Sequence, residues 1–184
     1  MVGTTGSGKS ALALQLASRL NVPYIQLDKL FWKPNWEESK DEEFFEKIRL
    51  AVDKPRWVLD GNYGRTHHLT WKDADTVIWI DFPFWLTMYQ NISRSVKRAI
   101  SKTELWEGTG NKESFFRMLS KDSIIRWLIK TYETNVKRYE ERIKNPEFSH
   151  IKFIRLKSRQ EVASFLNKVN LEYSNPVSKD QVHQ

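Results

Sequence analysis

The chain has 184 residues, of which 40% are hydrophobic and 29% charged, so one globular domain with a sizeable core is expected. No apolar run approaches the roughly 20 residues that span a bilayer, so we expect no membrane partner. The net charge of +7 favours anionic partners such as nucleotides or nucleic acid. The absence of cysteine excludes a disulfide framework and is compatible with the reducing cytoplasm, where we place the protein.

Helical and strand patterns alternate along the chain. Apolar periodicity predicts helices at residues 9–20, 41–52, 84–102, 113–143 and 158–169, and strands at 22–27, 56–59, 76–80 and 150–156. Residues 29–39 look irregular, and Ser158 with Glu161 forms a capping box for the last helix. We predict a single domain over residues 1–171 and, since residues 172–184 are polar without periodicity, a disordered tail.

This alternation predicts an α/β fold of three layers, a parallel sheet with helices on both faces. Asp28, Asp60 and Asp81 each follow a strand, so they are expected at one edge of the sheet, where such folds bind ligands. The central strand is apparently truncated, because only Met1 and Val2 precede the first loop. We predict that upstream coding sequence adds about four to six apolar residues.

The first loop satisfies the phosphate-binding P-loop pattern at every fixed position. Its glycines let backbone N–H groups approach phosphate oxygens, and the following helix contributes its dipole. The basic side chain of Lys9 is expected to reach the β- and γ-phosphates of ATP, and the hydroxyl of Ser10 to bind Mg²⁺. The predicted cofactor-binding residues are Gly3, Thr4, Thr5, Gly6, Ser7, Gly8, Lys9 and Ser10.

Residues beyond the other strands complete the predicted site. Asp60 is expected to support Mg²⁺ and to contact the substrate, while Asp28 orients an acceptor hydroxyl or takes its proton as a general base. Arg65 is expected to grip an acceptor phosphate. Trp32 is interpreted as either a stacking platform for a base or sugar in the substrate or a cover for the core. Asp81 is interpreted as either a second metal-side carboxylate or a turn residue.

Arg94 and Arg98 are four residues apart, so they project from one face of the predicted helix. We predict that both are catalytic and stabilise the charge of phosphoryl transfer, next to a helical lid at about residues 98–126. Gly108 and Gly110 are candidate hinges of that lid. Further basic candidates on the lid side are Arg117, Arg126 and Arg138. His67 and His68 are interpreted as surface residues, and Trp57 and Trp79 as core residues.

Four motifs together resemble the adenylate-kinase-like family of DNA topology modulation (FlaR-type) proteins: the P-loop and residues 27–32, 57–63 and 105–114. The resemblance covers most of residues 3–170. It implies a P-loop NTPase fold like that of nucleoside monophosphate kinases, with a core, an acceptor-binding segment and a lid. Asp60-Gly61 resembles the Asp-Gly pair of adenylate kinases, with Arg65 near the acceptor-phosphate arginine. The family's Pro-Arg after that pair is absent, since Asn62 and Tyr63 follow directly.

The leading hypothesis is an ATP-dependent phosphotransferase, a P-loop kinase that uses Mg²⁺ and an unidentified small-molecule acceptor. Two kinds of acceptor stay open: a nucleotide, or a sugar or acid, which the missing Pro-Arg favours. The alternative is a nucleic-acid-associated P-loop NTPase that uses the basic residues between 94 and 142, where twelve Lys or Arg oppose seven acids. No helix-turn-helix, zinc or RNA-recognition motif supports this alternative.

Overall fold

The computed structural model describes residues 1–116 and 123–174, in which short strands alternate with helices. The elements are β1 (Val2–Gly3), α1 (Lys9–Leu20), β2 (Tyr24–Gln26), α2 (Leu27–Phe31), α3 (Asp41–Val52), β3 (Val58–Asp60), α4 (His67–Thr70), β4 (Thr76–Ile80), α5 (Phe84–Ser101), α6 (Ile124–Ile143), β5 (Lys152–Leu156) and α7 (Arg159–Ser174). Short 3₁₀ turns lie at Pro34–Trp36, Gly64–Thr66 and Pro146–Phe148.

All strand pairs are parallel, and they form two small sheets, β1-β4-β5 and β2-β3. Met1 connects the sheets, because its nitrogen donates to the carbonyl oxygen of Leu59 at 2.6 Å and its own carbonyl accepts from the N–H of Gly61 at 3.4 Å. The resulting lateral order is β2-β3-β1-β4-β5. The chain places β2 and β3 on one side of β1, and then β4 and β5 on the other side. Such a switch point opens a crevice at the carboxyl ends of the strands.

Helices cover both faces of this sheet. Ile78 and Ile80 of β4 pack with α1 and α7, whereas Val77 and Trp79 face the opposite side, with Tyr139 of α6. This alternation follows from the period of two in a strand, and it explains why β4 is apolar throughout. The predicted α/β architecture with a parallel sheet is therefore confirmed.

A third apolar cluster lies beneath β2 and β3 and consists of side chains from α2, α3 and the strands. Phe44 and Ile48 of α3 are fully buried there, four residues apart on one face of the helix. Three acids in the first turn of α3 complement the helix dipole. This cluster supports the segment that carries Asp28.

Several predicted boundaries differ from the structure. The strands β2, β3 and β5 are shorter than predicted, and Asp28 lies in α2 rather than at the end of a strand. Residues 113–114 are not helical, although the periodicity predicts helix over 113–143, and residues 117–122 lie outside the described part. Helix α7 extends to Ser174, beyond the predicted helix end at residue 169. Residues 175–184 lie outside the described residues, so the predicted tail stays a prediction.

The capping box is confirmed, because Ser158 Oγ accepts from the N–H of Glu161 at 3.1 Å. The carboxylate of Glu161 in turn accepts from the N–H of Lys157 at 2.8 Å. Among the described helices, none is long and apolar enough to cross a membrane.

Candidate functional site

The loop between β1 and α1 lies at the carboxyl edge of the sheet. It turns through a hydrogen bond from the N–H of Ser7 to the carbonyl oxygen of Thr4 at 3.2 Å. Gly8 precedes α1 with φ of 92°, and the first turn of α1 contains no acidic residue. The N-terminus of α1 therefore keeps its positive end exposed to an anion, as a phosphate site requires.

Helix α5 supports this loop from below through a polar face. Thr87, Asn91 and Ser95, one turn apart, are almost fully buried. A side chain on Gly6 would lie 2.8 Å from the Cβ atom of Asn91 and 3.0 Å from the carbonyl oxygen of Thr87. The loop thus approaches the helix so closely that this position requires glycine, both for space and for its φ of 82°.

Gly6→Ala is therefore expected to destabilise the protein by roughly 1–3 kcal/mol and to weaken nucleotide binding, because the loop must move away from α5. The matched control is Gly108→Ala, since Gly108 has a similar φ of 86° but no atom within 4 Å of the place where its methyl group would lie. That control isolates backbone strain, worth about 1 kcal/mol. Chemical denaturation measures both variants, and equal losses of stability would show that the contact with α5 is unimportant.

Lys9, Ser10 and Asp60 form the centre of the site. Asp60 is 2% exposed, and burial raises its pKa, although a hydrogen bond with Ser10 and the charge of Lys9 lower it. Burial lowers the pKa of Lys9, while Asp28 and Asp60 raise it. The hydroxyl of Tyr24 donates to Oδ1 of Asp60 at 3.2 Å. Two carboxylates and one ammonium group thus meet beside the loop between β1 and α1.

Asp28 is fixed by a neighbour on the next loop. The hydroxyl of Tyr63 donates to Oδ1 of Asp28 at 2.7 Å, and burial raises the pKa of Tyr63. The Tyr63 ring is itself held between Phe31 and Phe44, at centroid distances of 5.0 and 5.1 Å. Asp28 is therefore pre-oriented on a rigid aromatic support, in electrostatic contact with Lys9.

Arg94 and Arg98 of α5 face the same centre. Burial and the charge of Arg98 lower the pKa of Arg94 to about 10, against the opposing effects of Glu113 and Asp28. Among the described residues, the buried side-chain atoms without a hydrogen-bond partner are Ser7 Oγ, both polar atoms of the Asn91 amide, and Arg94 Nε. All of them belong to the loop or to the helix beneath it. The donors among them are the Ser7 hydroxyl, Asn91 Nδ2 and Arg94 Nε, and an anion at the loop would offer acceptors to donors of this kind.

A cleft of about 510 Å³ opens beside the loop along α5. Its cationic lining residues are Arg94, Lys97, Arg98 and Arg159. In the favoured amide orientation, Gln90 donates to the carbonyl oxygen of Gly6 and accepts from Arg159, both at 3.1 Å. The remaining lining residues are Tyr89 and Ser93, and no acid contributes. Sequence patterns missed Gln90 and Arg159, because nothing local connects position 159 with the loop.

Asn62 is a second residue that sequence reasoning passed over. Its side chain accepts from the N–H of Gly3 at 3.2 Å and donates to the carbonyl oxygen of Gly3, so it continues the pairing between β3 and β1 after β3 has ended. Tyr139 also donates to Oδ1 of Asn62, at 2.6 Å. Directly after Asp60-Gly61, this chain therefore has a residue that holds the start of the loop.

Asp81 and Arg65, which the sequence predicts at the site, form ion pairs with other side chains. Asp81 binds the guanidinium of Arg155 at 2.6 Å, so its carboxylate is engaged in an ion pair. Arg65 pairs with Asp41 at 3.1 Å and lies 5.1 Å over the ring of Phe31. Its role at an acceptor phosphate stays a prediction.

The remaining predicted residues are the histidines, the tryptophans and the arginines on the lid side. His67 is buried and stacks on Trp71 at 4.1 Å, so its prediction as a surface residue is wrong, whereas His68 is exposed. Trp79 is a core residue as predicted, while Trp57 is partly buried just before β3. Trp32 packs against other tryptophans. Of the lid-side arginines, Arg126 is exposed on α6, Arg138 lies near Gly64, and Arg117 is outside the described residues.

The sequence was also compared with known proteins. It matches no family model, and no curated protein shows significant similarity to it. The function is therefore inferred from the residues of the site.

Proposed function

We propose that this protein is an ATP-dependent phosphotransferase with a P-loop fold like that of nucleoside monophosphate kinases. The observation that carries the proposal is the convergence of Lys9, Asp60, Asp28 and Arg94 around a loop of P-loop sequence at the N-terminus of α1. The motif resemblance to DNA topology modulation proteins is part of this proposal. A cytoplasmic location is proposed with it, on the absence of cysteine.

The donor nucleotide is assigned to the loop and the adjoining cleft. Backbone N–H groups of residues 4–10 would bind the phosphates, with the ammonium group of Lys9 at the β- and γ-positions. The cationic cleft along α5 is continuous with the loop through Gln90, and its volume of about 510 Å³ falls within the range of small-molecule sites. The polyphosphate would give the buried Nε of Arg94 an acceptor.

Magnesium fits the oxygen donors at the centre of the site. Ser10 and Asp60 are hydrogen-bonded to each other and lie beside Lys9. Mg²⁺ at nucleotide sites takes one or two protein oxygens and completes its shell with phosphates and water, so a larger cluster of acids is unnecessary. Bound there, the ion would neutralise developing charge on the phosphates.

The chain's own residues supply the remaining steps. Asp28, held by Tyr63, would accept the proton of the attacking hydroxyl. Arg94 and Arg98 would stabilise charge on the transferring phosphoryl group. The nucleic-acid alternative rests on the basic composition, and among the described residues Arg94, Lys97 and Arg98 of that stretch line a cleft together with Arg159.

The direct test is ATP binding and turnover by the full chain. We expect ATP to bind in the presence of Mg²⁺, measured by isothermal titration calorimetry, and ADP to be released on addition of a suitable acceptor. A salt titration with duplex DNA serves as the counter-test. Failure to bind ATP, together with salt-dependent binding to DNA, would reject the phosphotransferase in favour of the nucleic-acid-associated NTPase.

A further inference from the structure

Two loops meet over the acceptor side of the site and interlock. The first, residues 32–38, follows α2 and is closed by a bridge between Trp32 and Glu38. The second, residues 104–112, follows α5 and is closed by a bridge between Glu104 and Lys112. The second loop therefore connects the helix of Arg94 and Arg98 with the segment that begins at Asp28. We call the two loops together the tryptophan clasp.

Three indole rings form the contact between the loops. Trp32 and Trp106 stack with their planes 15° apart at a centroid distance of 6.0 Å. Trp36 packs edge-on against both of them, at 5.8 Å from Trp32 and 5.7 Å from Trp106. Stacked and edge-on aromatic pairs of this kind are favourable beyond the area that they bury. The rings that a nucleobase would stack on are thus in contact with one another.

Two hydrogen bonds of the Asn111 side-chain amide hold the two loops together. Its Nδ2 donates to the carbonyl oxygen of Lys33 at 2.8 Å, and its Oδ1 accepts from the N–H of Trp36 at 2.9 Å. Asn111 is 2% exposed, so both bonds are shielded from water. Trp36 has a φ of 62°, which is costly for a bulky residue and persists where surrounding contacts enforce it. A buried amide and a strained backbone therefore act together to close the clasp.

An aromatic chain leads from the clasp to the proposed base. Trp32 packs edge-on against Phe31 at 5.0 Å, and Phe31 packs against Tyr63, whose hydroxyl binds Asp28. On the other side, Glu113 lies at the end of the second loop, in electrostatic contact with Arg94 and Arg98. The clasp thus adjoins the carboxylates of Asp28 and Glu113 and the guanidinium groups of Arg94 and Arg98, which can bind hydroxyl and carboxyl groups.

We infer that the acceptor is a compact alcohol without a nucleobase, such as a sugar, polyol or hydroxy acid, which the tryptophan clasp encloses. This inference rests on the proposed function. The base-stacking rings and the Asn111 amide are used in closing the clasp, and Arg65 is paired with Asp41. In the transfer, the acceptor oxygen bonds to the γ-phosphorus of ATP as its proton passes to Asp28. The bond to the β,γ-bridging oxygen breaks, and ADP leaves with that electron pair.

The clasp has a second consequence, because a closed site keeps water away from the γ-phosphate. Asn111→Ala removes both locking bonds, so we expect acceptor-independent ATP hydrolysis to rise about tenfold. Trp85→Ala is the matched control, since Trp85 is 78% exposed on α5 outside the clasp, and its hydrolysis should equal that of the unmodified protein. Thermal unfolding of both variants shows whether the fold is retained.

The experiment measures ADP release by the full chain with Mg-ATP, first with nucleoside monophosphates and then with sugars, polyols and hydroxy acids. Acceptor-dependent ADP release with a compact alcohol, and none with monophosphates, supports the inference. Turnover of a monophosphate overturns the inference while upholding the phosphotransferase. If ATP binds but no compound in either set is turned over, the acceptor-independent ATP hydrolysis of Asn111→Ala decides. A rate above that of the unmodified protein supports the enclosed site. An equal rate overturns the inference. Loss of ATP binding itself rejects the proposed function and the inference with it.

Discussion

Replacing Lys9 with alanine is expected to lower phosphotransfer by roughly 100- to 1,000-fold or more, because the transferring phosphoryl group loses its principal cation. Lys9 lies among Asp28, Asp60 and Arg94, and burial lowers its pKa, so its charge is maintained at some cost to stability. Its removal relieves the burial of the ammonium group but takes a neighbouring cation away from Asp60, so the free energy of unfolding should fall by no more than about 1–3 kcal/mol. The rate of ADP release and chemical denaturation measure the two effects separately.

Lys72→Ala is the control for Lys9→Ala. Lys72 is exposed in the turn before β4, at the amino edge of the sheet, so the same change of charge is made far from the loop. Its phosphotransfer should equal that of the unmodified protein. Retention of activity by Lys9→Ala, with Lys72→Ala also active, would mean that the loop does not hold the donor phosphates.

The proximity of the first loop to Asp28 and Asp60 could be predicted from sequence because the signals are local. A P-loop is a contiguous pattern, and apolar strands followed by Asp indicate the carboxyl edge of a parallel sheet. In the folded chain, Asp28 and Asp60 are both in electrostatic contact with Lys9.

The partners of these residues could not be read from the sequence, because they come from distant segments. Asn62 binds Gly3, and Asn111 binds Lys33 and Trp36, across 59 to 78 residues. The wrong prediction for His67 has the same cause. It is buried by stacking on Trp71 and by Arg142 from α6, a helix residue 75 positions further along the chain.

Helix α5 is unusual in that part of its apolar surface is exposed. Its buried face carries Thr87, Asn91 and Ser95, whereas Trp85 and Tyr89 are 78% and 67% exposed. An ordinary amphipathic helix would bury the large apolar residues. The short polar side chains are explained by the loop above them, which approaches too closely for a larger residue, as the contacts of Gly6 with Thr87 and Asn91 demonstrate. The small size of these buried side chains thus follows from the position of α5 beneath the loop.

Asp60→Asn is expected to lower the phosphotransfer activity and to raise the free energy of unfolding. The amide keeps the shape of the side chain but removes the negative charge that would hold Mg²⁺, so Mg-dependent phosphotransfer should fall at least about 100-fold. The stability should change in the opposite direction. Since burial raises the pKa of Asp60 in the folded protein, the folded state at neutral pH bears the cost of an ionised, desolvated carboxylate, and the amide removes that cost.

The pH dependence of this stability gain has a definite sign. A carboxyl group whose pKa is raised by folding stabilises the folded state fully below the pKa of the unfolded chain, about 3.9, and loses that contribution as the pH rises through the folded pKa. The advantage of Asp60→Asn in the free energy of unfolding should therefore be small at low pH, grow between these two pKa values, and stay constant above them. Asp73→Asn, in the exposed turn before β4, is the control and should show no such growth. An Asp60→Asn protein that is less stable than the unmodified chain at pH 7 would mean that the hydrogen bonds with Ser10 and Tyr24 outweigh the desolvation of the carboxylate.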